Sequence, residues 1–207
     1  MVVDGVLAAD RGPSAAQLRV AQVLTEVFAP VVLIFVLLFV VAIDSTGSVS
    51  RGVLLGSVAA FFTGGLPYAV LMLGVRRGHL GDRHLRRREE RPLMMVLGLL
   101  SAATGLLIIS KLDAPRELFA LCGAMVAGVA VALAISMFWK ISIHVACVAG
   151  SVAVLAYILG PQWLVLGVAV LAVGWARVLV RDHTKAQVVA GAAVGALVAY
   201  SAMRTLM

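Results

Sequence analysis

The sequence alternates long apolar segments with short polar ones, and the apolar residues run continuously instead of forming the single stripe of an amphipathic helix. Seven such segments have lengths near or above the roughly 18 to 20 residues that cross the hydrocarbon core of a bilayer. Each predicts a helix, because a helix satisfies its own backbone hydrogen bonds without water. The predicted helices are residues 27–43, 52–75, 93–110, 118–138, 143–159, 163–180 and 186–203.

This pattern predicts an all-α fold, a polytopic transmembrane helical bundle of about six to seven spans. Little more than Gly160 and Pro161 separates the fifth and sixth segments, so six spans with a re-entrant segment is the alternative. Proline predicts kinks at Pro30 and Pro67, since it removes one backbone hydrogen bond from a helix. Gly191 and Gly195 would let the last helix approach a neighbour closely.

Residues 1–26 form a separate N-terminal interfacial segment in this interpretation, and residues 27–207 form a single transmembrane domain. Between residues 14 and 26, Leu18 and Val23 mix with Arg19 and Glu26, which predicts a short helix at the membrane interface. This composition suits an interfacial helix better than a signal peptide, because no convincing cleavage site follows the first apolar run.

Composition agrees with a membrane protein, since 62% of the residues are hydrophobic and 13% are charged. With seven spans, thirteen of the 17 lysines and arginines lie on one side, which the positive-inside rule assigns to the cytoplasmic face of the plasma (inner) membrane. Because this charge flanks apolar segments, we expect the bilayer and a membrane lipid as partners and no nucleic acid. The pattern does not specify an oligomeric state.

Cys122 and Cys147 lie inside predicted helices and indicate neither a disulfide nor a metal site.

Three charged clusters emerge at one face of the predicted bundle, separated by two pairs of helices. The first is residues 81–92, GDRHLRRREERP; the second is residues 139–144, WKISIH; the third starts at Arg177 and includes His183. Taken alone, the first and third clusters are explained as charged loops that fix the topology. The histidine of the second cluster is explained as a hydrogen bond between two helices. Together they suit a phosphate on a lipid-soluble tail, because guanidinium groups match phosphate oxygens in fork geometry.

The spacings resemble those of the type 2 phosphatidic acid phosphatase family, integral membrane lipid phosphatases related to the vanadium haloperoxidases. The family carries a lysine seven residues before an Arg-Pro pair, and then a Pro-Ser-Gly-His stretch. In this chain Arg91 and Pro92 supply the pair, with His84 at the position of the lysine. Ser142 and His144 match the second signature, whose proline and glycine are replaced by isoleucine.

The third family signature is Ser-Arg, a histidine after five further residues, and an aspartate four residues beyond the histidine. Arg177 and His183 match it, Ala176 replaces its serine, and Gln187 stands at the position of the aspartate. The resemblance covers roughly residues 50 to 206 in order and is most specific in the basic residues and their spacing.

The resemblance implies an in-line displacement at phosphorus that needs no metal or other cofactor. His183 would attack and form a phosphohistidine, and His144 would protonate the leaving group and then activate water. Gln187 would orient the His183 ring, although it lacks the negative charge of an aspartate. The implied phosphate-binding residues are Arg91, Arg177, Ser142 and one of His84, Arg87 or Arg88.

These residues predict an integral membrane phosphatase that hydrolyses a lipid phosphate or diphosphate. Prenyl phosphates and diphosphates are favoured, because the bundle offers little soluble structure with which to select a large head group, and phosphatidate-type lipids come next. The alternative is a lipid-phosphate-binding or transport protein that has lost turnover. Gln187 would be the mark of that loss.

Overall fold

A computed structural model describes residues 12–82 and 90–207, and within these residues the chain is 84% helical with no strand. The α-helices are α1 (Ala15–Val27), α2 (Pro30–Thr46), α3 (Val49–Ala60), α4 (Leu66–Arg76), α5 (Arg91–Lys111), α6 (Arg116–Ser136), α7 (Ile143–Leu159), α8 (Gly167–Leu179) and α9 (Lys185–Leu206). A π-helical turn, Phe61–Gly65, joins α3 to α4, and a 3₁₀ turn, Pro161–Leu166, precedes α8.

The all-helical prediction is confirmed for the described residues, and each predicted apolar segment lies mostly in helix, although residues 28–29 interrupt the first one. Among the described residues, five helices are long and apolar enough to cross a membrane: Val49–Arg76, Pro92–Lys111, Arg116–Ser136, Pro161–Leu179 and Lys185–Leu206. Helices α1 and α2 would add a sixth if they form one span, although they bend by 43° where they meet. Helix α7 is apolar but has only 17 residues.

Helix α1 agrees with the short helix predicted for residues 14–26. The Ser14 hydroxyl accepts a hydrogen bond from the Gln17 N–H, and the Gln17 side chain accepts one from the Ser14 N–H. This reciprocal capping box satisfies two N–H groups that the start of a helix leaves open. Helix α1 packs against α8 and ends just before Pro30, which begins α2. The prediction that α1 lies at a membrane interface stays a prediction.

The π-helical turn interrupts the longest span at two adjacent glycines, Gly64 and Gly65, just before Pro67. A π turn widens the helix and leaves backbone carbonyls poorly matched to N–H donors. One of them, the Phe62 carbonyl, accepts a hydrogen bond of 2.6 Å from the Ser101 hydroxyl of α5. The polar side chain of the neighbouring helix therefore stabilises the irregular turn.

Glycines bring α7 and α9 into backbone contact. A Cβ added at Gly191 would lie 2.6 Å from the Ser142 carbonyl oxygen, and one at Gly195 would overlap the carbonyl of Ala146. Since real Cβ atoms do not approach so closely, both positions require glycine at this separation of the two helices. The contact that the sequence suggested for these two glycines is confirmed, and it holds the starts of α7 and α9 together.

The bundle packs densely at one end. Fully buried side chains from five helices meet there: Leu38, Leu55, Ile109, Leu118, Leu121 and Met203. The loop between α5 and α6 and the start of α3 lie at this end, where the Arg51 guanidinium donates a hydrogen bond of 3.0 Å to the Asp113 carbonyl. The opposite end of the bundle carries the starts of α2, α5, α7 and α9.

At that opposite end the helices separate and leave an apolar cleft. It comprises two adjoining cavities of about 280 and 330 Å³. The residues that line both cavities come from α2, the π turn, α4, α5 and α7: Ile34, Thr63, Pro67, Met94, Met95 and Ile143. The same pair of cavities therefore runs from the α7 start toward the packed end.

Replacing Gly195 with alanine is expected to lower the free energy of unfolding by about 1 to 3 kcal/mol, the usual cost of overpacking. The added methyl group would overlap the backbone of α7, which cannot move independently of its helix. The measurement is unfolding of the detergent-solubilised protein followed by tryptophan fluorescence.

Gly128→Ala in α6 is the matched control, because its Cβ would meet nothing within 4 Å. We expect this variant to gain about 0.5 to 1 kcal/mol from the better helix propensity of alanine. Equal stability of the two variants would contradict backbone contact between α7 and α9.

Candidate functional site

The connection from α8 to α9 folds back onto the last turn of α8. Arg181 has a left-handed backbone with φ of +57°, at a position where helices usually end on glycine. The Arg177 carbonyl then accepts hydrogen bonds of 3.2 Å from the N–H groups of both Asp182 and His183. A non-glycine residue in this conformation is strained by roughly 1 to 2 kcal/mol. The strained turn brings the His183 backbone against Arg177.

Gln187 has two partners at the start of α9. Its side-chain oxygen accepts a hydrogen bond of 3.1 Å from the Thr184 N–H, and the Thr184 hydroxyl accepts one of 3.3 Å from the Gln187 N–H. The same Gln187 oxygen lies 3.2 Å from Nδ1 of His183. The capping box of α9 therefore also fixes the orientation of the glutamine beside the histidine.

This arrangement determines the tautomer of His183. Because the Gln187 Oε1 atom receives a backbone N–H, the amide must present its oxygen on that side. An amide oxygen only accepts, so Nδ1 of His183 must carry the proton. In the neutral ring the other nitrogen, Nε2, then carries the lone pair. His183 is 6% exposed, so the ring lies in a protected position.

Two cations hold the turn that precedes His183. The Arg177 guanidinium is buried, with the residue 3% exposed, and its Nη2 atom lies 2.9 Å from Oδ2 of Asp182. The Lys140 ammonium group donates a hydrogen bond of 3.1 Å to the Asp182 carbonyl. The second and third charged clusters of the sequence are thus in direct contact.

The start of α7 lies beside Gln187, because the Ser142 N–H donates a hydrogen bond of 3.3 Å to the Gln187 carbonyl. Ser142 is completely buried, and within the described part of the chain its hydroxyl has no hydrogen-bond partner. A buried polar group left in that state costs about 1 to 3 kcal/mol. His144 follows two residues later, is 8% exposed, and lines the cleft together with Glu26.

The first charged cluster is described only in part. Helix α5 begins at Arg91, whose side chain lies outside the described part of the structure, as do all of His84, Arg87 and Arg88. The carboxylate of Glu90 accepts hydrogen bonds of 3.1 and 3.2 Å from the Gly81 N–H, which joins the two ends of the segment. Met94, three residues after Arg91, lines the cleft, so the backbone of the Arg-Pro pair lies near its end.

Four of the predicted site residues are therefore linked by direct hydrogen bonds: Arg177, His183, Gln187 and Ser142. The sequence interpretation missed two further residues. Thr184 could have been found from the Thr-x-x-Gln capping pattern that starts α9. Glu26, assigned to the interfacial segment, reaches the cleft because α1 ends beside it, and nothing in its local sequence indicated that.

Chemically, the site combines a buried guanidinium, a histidine with its lone pair on Nε2, and a serine hydroxyl that the described residues leave unsatisfied. Guanidinium and hydroxyl groups bind oxyanions through charge-assisted hydrogen bonds. The neutral amide of Gln187 orients the histidine without adding negative charge near an incoming anion.

Asp182→Asn is expected to increase the affinity of the site for an oxyanion several-fold. The Asp182 carboxylate pairs with Arg177, so a bound anion must compete with that charge. The backbone contact between Lys140 and residue 182 is kept in the variant. The measurement is binding of tungstate by titration calorimetry in detergent.

Asp113→Asn makes the same chemical change at the packed end of the bundle and should leave tungstate binding unchanged. If both variants bind tungstate as the unmodified protein does, Arg177 is not an anion-binding group.

Comparisons of the chain with models of protein families, with curated proteins and with solved structures found no match. The family resemblance thus rests on the residues of the three charged clusters.

Proposed function

We propose that this protein is an integral membrane phosphatase that hydrolyses a lipid phosphate or diphosphate through a phosphohistidine intermediate. The observation that carries the proposal is the contact of Gln187 with Nδ1 of His183, which leaves the electron pair on Nε2. Nucleophilic attack through Nε2 requires that tautomer. A glutamine at this position is therefore compatible with nucleophilic attack.

In the first step Nε2 of His183 attacks phosphorus, and the bond between phosphorus and the lipid oxygen breaks as the new bond forms. His144 donates a proton to the departing oxygen. Arg177 and the Ser142 hydroxyl stabilise the charge on the phosphoryl oxygens, where it is spread in the transition state. Arg91 and one of His84, Arg87 or Arg88 complete the set of phosphate ligands in this proposal.

In the second step water attacks the phosphohistidine. The His144 ring, now neutral, accepts a proton from the water, and the phosphorus–nitrogen bond breaks to return the electron pair to Nε2. Both steps need only groups of this chain and water, so the proposal includes no metal.

The proposal includes a topology of six to seven spans with the site at one membrane face. The bent pair of α1 and α2 and the short α7 account for the difference between five spans and seven. The charge bias of the loops favours the cytoplasmic face of the plasma (inner) membrane. The linked starts of α7 and α9 support a single site face, because both helices begin at the candidate site.

The function is tested by phosphate release from the purified protein in lipid nanodiscs with a chelator present. The substrates are farnesyl diphosphate, farnesyl phosphate and a diacyl phosphatidate. We expect release from the farnesyl compounds, inhibition by vanadate, and a loss of at least about 10³-fold in His183→Ala, the scale seen when a catalytic nucleophile is removed.

His79→Ala is the matched control, because His79 lies in the exposed loop after α4. An acid-labile, base-stable phosphoprotein that disappears in His183→Ala would identify the intermediate. No release from any of the substrates, with tungstate still bound, would favour the non-catalytic lipid-phosphate binder or transporter instead.

Gln187→Glu is expected to raise kcat. A carboxylate of the same length keeps the capping box and adds the negative charge that stabilises the positive ring formed during attack. The reverse change, aspartate to amide, lowers kcat by about 10⁴ in a serine protease triad, so a gain between about 10-fold and that limit is expected.

Gln162→Glu makes the same substitution in the turn before α8 and should leave kcat unchanged. A Gln187→Glu variant that is no faster than the unmodified protein would show that orientation of the His183 ring, and not charge, is what residue 187 supplies.

A further inference from the structure

The inner cavity of the cleft is almost wholly apolar. Its walls come from α2, α5, α6, α7 and α9, with Thr63 of the π turn and Pro67 of α4 at one side. The few polar groups on it include Thr63, whose hydroxyl already donates to the Ala59 carbonyl. The outer cavity is more polar, because Glu26, Tyr68 and His144 line it. The cleft thus changes from polar to apolar with distance from His144, as a lipid changes from head group to chain.

The depth of the cleft matches half a bilayer. His144 lies at its outer end, and Val154, on the same helix, lies at its inner end. Ten residues of helix span about 15 Å, and half the hydrocarbon core of a bilayer is also about 15 Å. Leu37, Leu121 and Val154 form the floor, and all three belong to the buried core.

The volume of the inner cavity, about 280 Å³, indicates how much chain it holds. An apolar protein cavity of about 150 Å³ binds one benzene ring, so this cavity takes roughly twice as many carbon atoms, about a dozen. It is therefore sized for one hydrocarbon chain of about a dozen carbons, with the outer cavity available for the carbons nearest the head group.

We propose that the cleft from His144 to Val154 binds the single hydrocarbon chain of a prenyl-type lipid, about ten to fifteen carbons long, with its phosphate at the candidate site. This inference rests on the proposed function and deepens it, because a one-chain cleft selects prenyl phosphates over diacyl phosphatidates. The occupant is argued from the single-chain volume, the polarity gradient and the continuity of the cleft with His144.

Two glycines on the cleft wall allow the chain site to be filled without disturbing the site at its end. A Cβ added at Gly128 of α6 would meet nothing within 4 Å, and one at Gly98 of α5 would meet only the Pro67 Cβ at 4.0 Å. Leucine at either position would occupy space that the lipid chain needs. Gly167→Leu on α8 is the matched control, because its Cβ is equally free and Gly167 lines neither cavity.

The experiment uses farnesol, a fifteen-carbon alcohol, with a photoreactive diazirine at the end of its chain, bound to the full protein in phospholipid nanodiscs. We expect saturable labelling of α6 and α7 near Met125 and Val154. Unlabelled alcohols should compete better as their length rises to about fifteen carbons and no better beyond it. Gly128→Leu and Gly98→Leu should reduce labelling at least several-fold, and Gly167→Leu should not change it.

Two results would overturn the proposal: labelling that unlabelled farnesol does not displace, or labelling that the two leucine variants leave intact. In either case the probe would be reporting its position in the surrounding bilayer.

Since the alcohol carries no phosphate, this result does not depend on turnover. Saturable labelling without phosphate release from any substrate would keep the chain site and reject the phosphatase. Phosphate release from farnesyl phosphate that Gly128→Leu and Gly98→Leu leave unchanged would keep the phosphatase and reject the chain site.

Discussion

The close approach of α7 and α9 is the constraint on which the candidate site depends. Without side chains at Gly191 and Gly195, the backbones of the two helices touch, and the Ser142 N–H can reach the Gln187 carbonyl. That contact, together with the hydrogen bond from Lys140 to the Asp182 carbonyl, joins the second and third charged clusters, which are more than thirty residues apart in the sequence. Dispersion forces and direct backbone contact are the main sources of helix association in a bilayer, where the hydrophobic effect no longer distinguishes protein from lipid. The site is therefore built on the tightest helix pair.

In the candidate site the buried cation has a carboxylate partner, while the histidine has an uncharged one. Asp182 pairs with Arg177, while an uncharged amide lies beside His183. Paired charges are the rule for buried ions, because an isolated ion pays a large desolvation penalty. In the proposed function, the phosphate of the substrate takes over the role of Asp182 at the Arg177 guanidinium. The histidine keeps a fixed tautomer throughout, since Thr184 and Gln187 hold each other through the helix cap and not through charge.

Much of the helical architecture was predictable from the sequence, and the reasons are local. Long apolar runs have to be helices in a bilayer, and Gly160 with Pro161 has to be a turn. The order of Arg177, His183 and Gln187 also follows from local spacing, because all three lie within one helix end and the next helix start. Pro30 indicated the bend where α1 meets α2, but the division of the apolar segments into five long helices, one bent pair and one short helix was not predictable. The cleft was not predictable either, because it arises where helices from distant parts of the chain diverge. Glu26 and Thr63 gain their positions only from that divergence.

The π-helical turn changes the direction in which the residues after it face around the helix axis. An α-helix advances by about 100° per residue, and the extra residue in a π turn rotates everything beyond it by about that angle. Pro67 and Leu71 line the cleft downstream of the turn, while Gly52, Leu55 and Gly56 upstream pack into the bundle. If the same residues formed a regular α-helix through Phe61–Gly65, the length and hydropathy of the span would be nearly unchanged. Pro67 and Leu71 would then rotate by about 100° away from the cleft, while the packed end of the bundle stayed in place. The shape of the cleft therefore depends on a π turn that composition alone does not register.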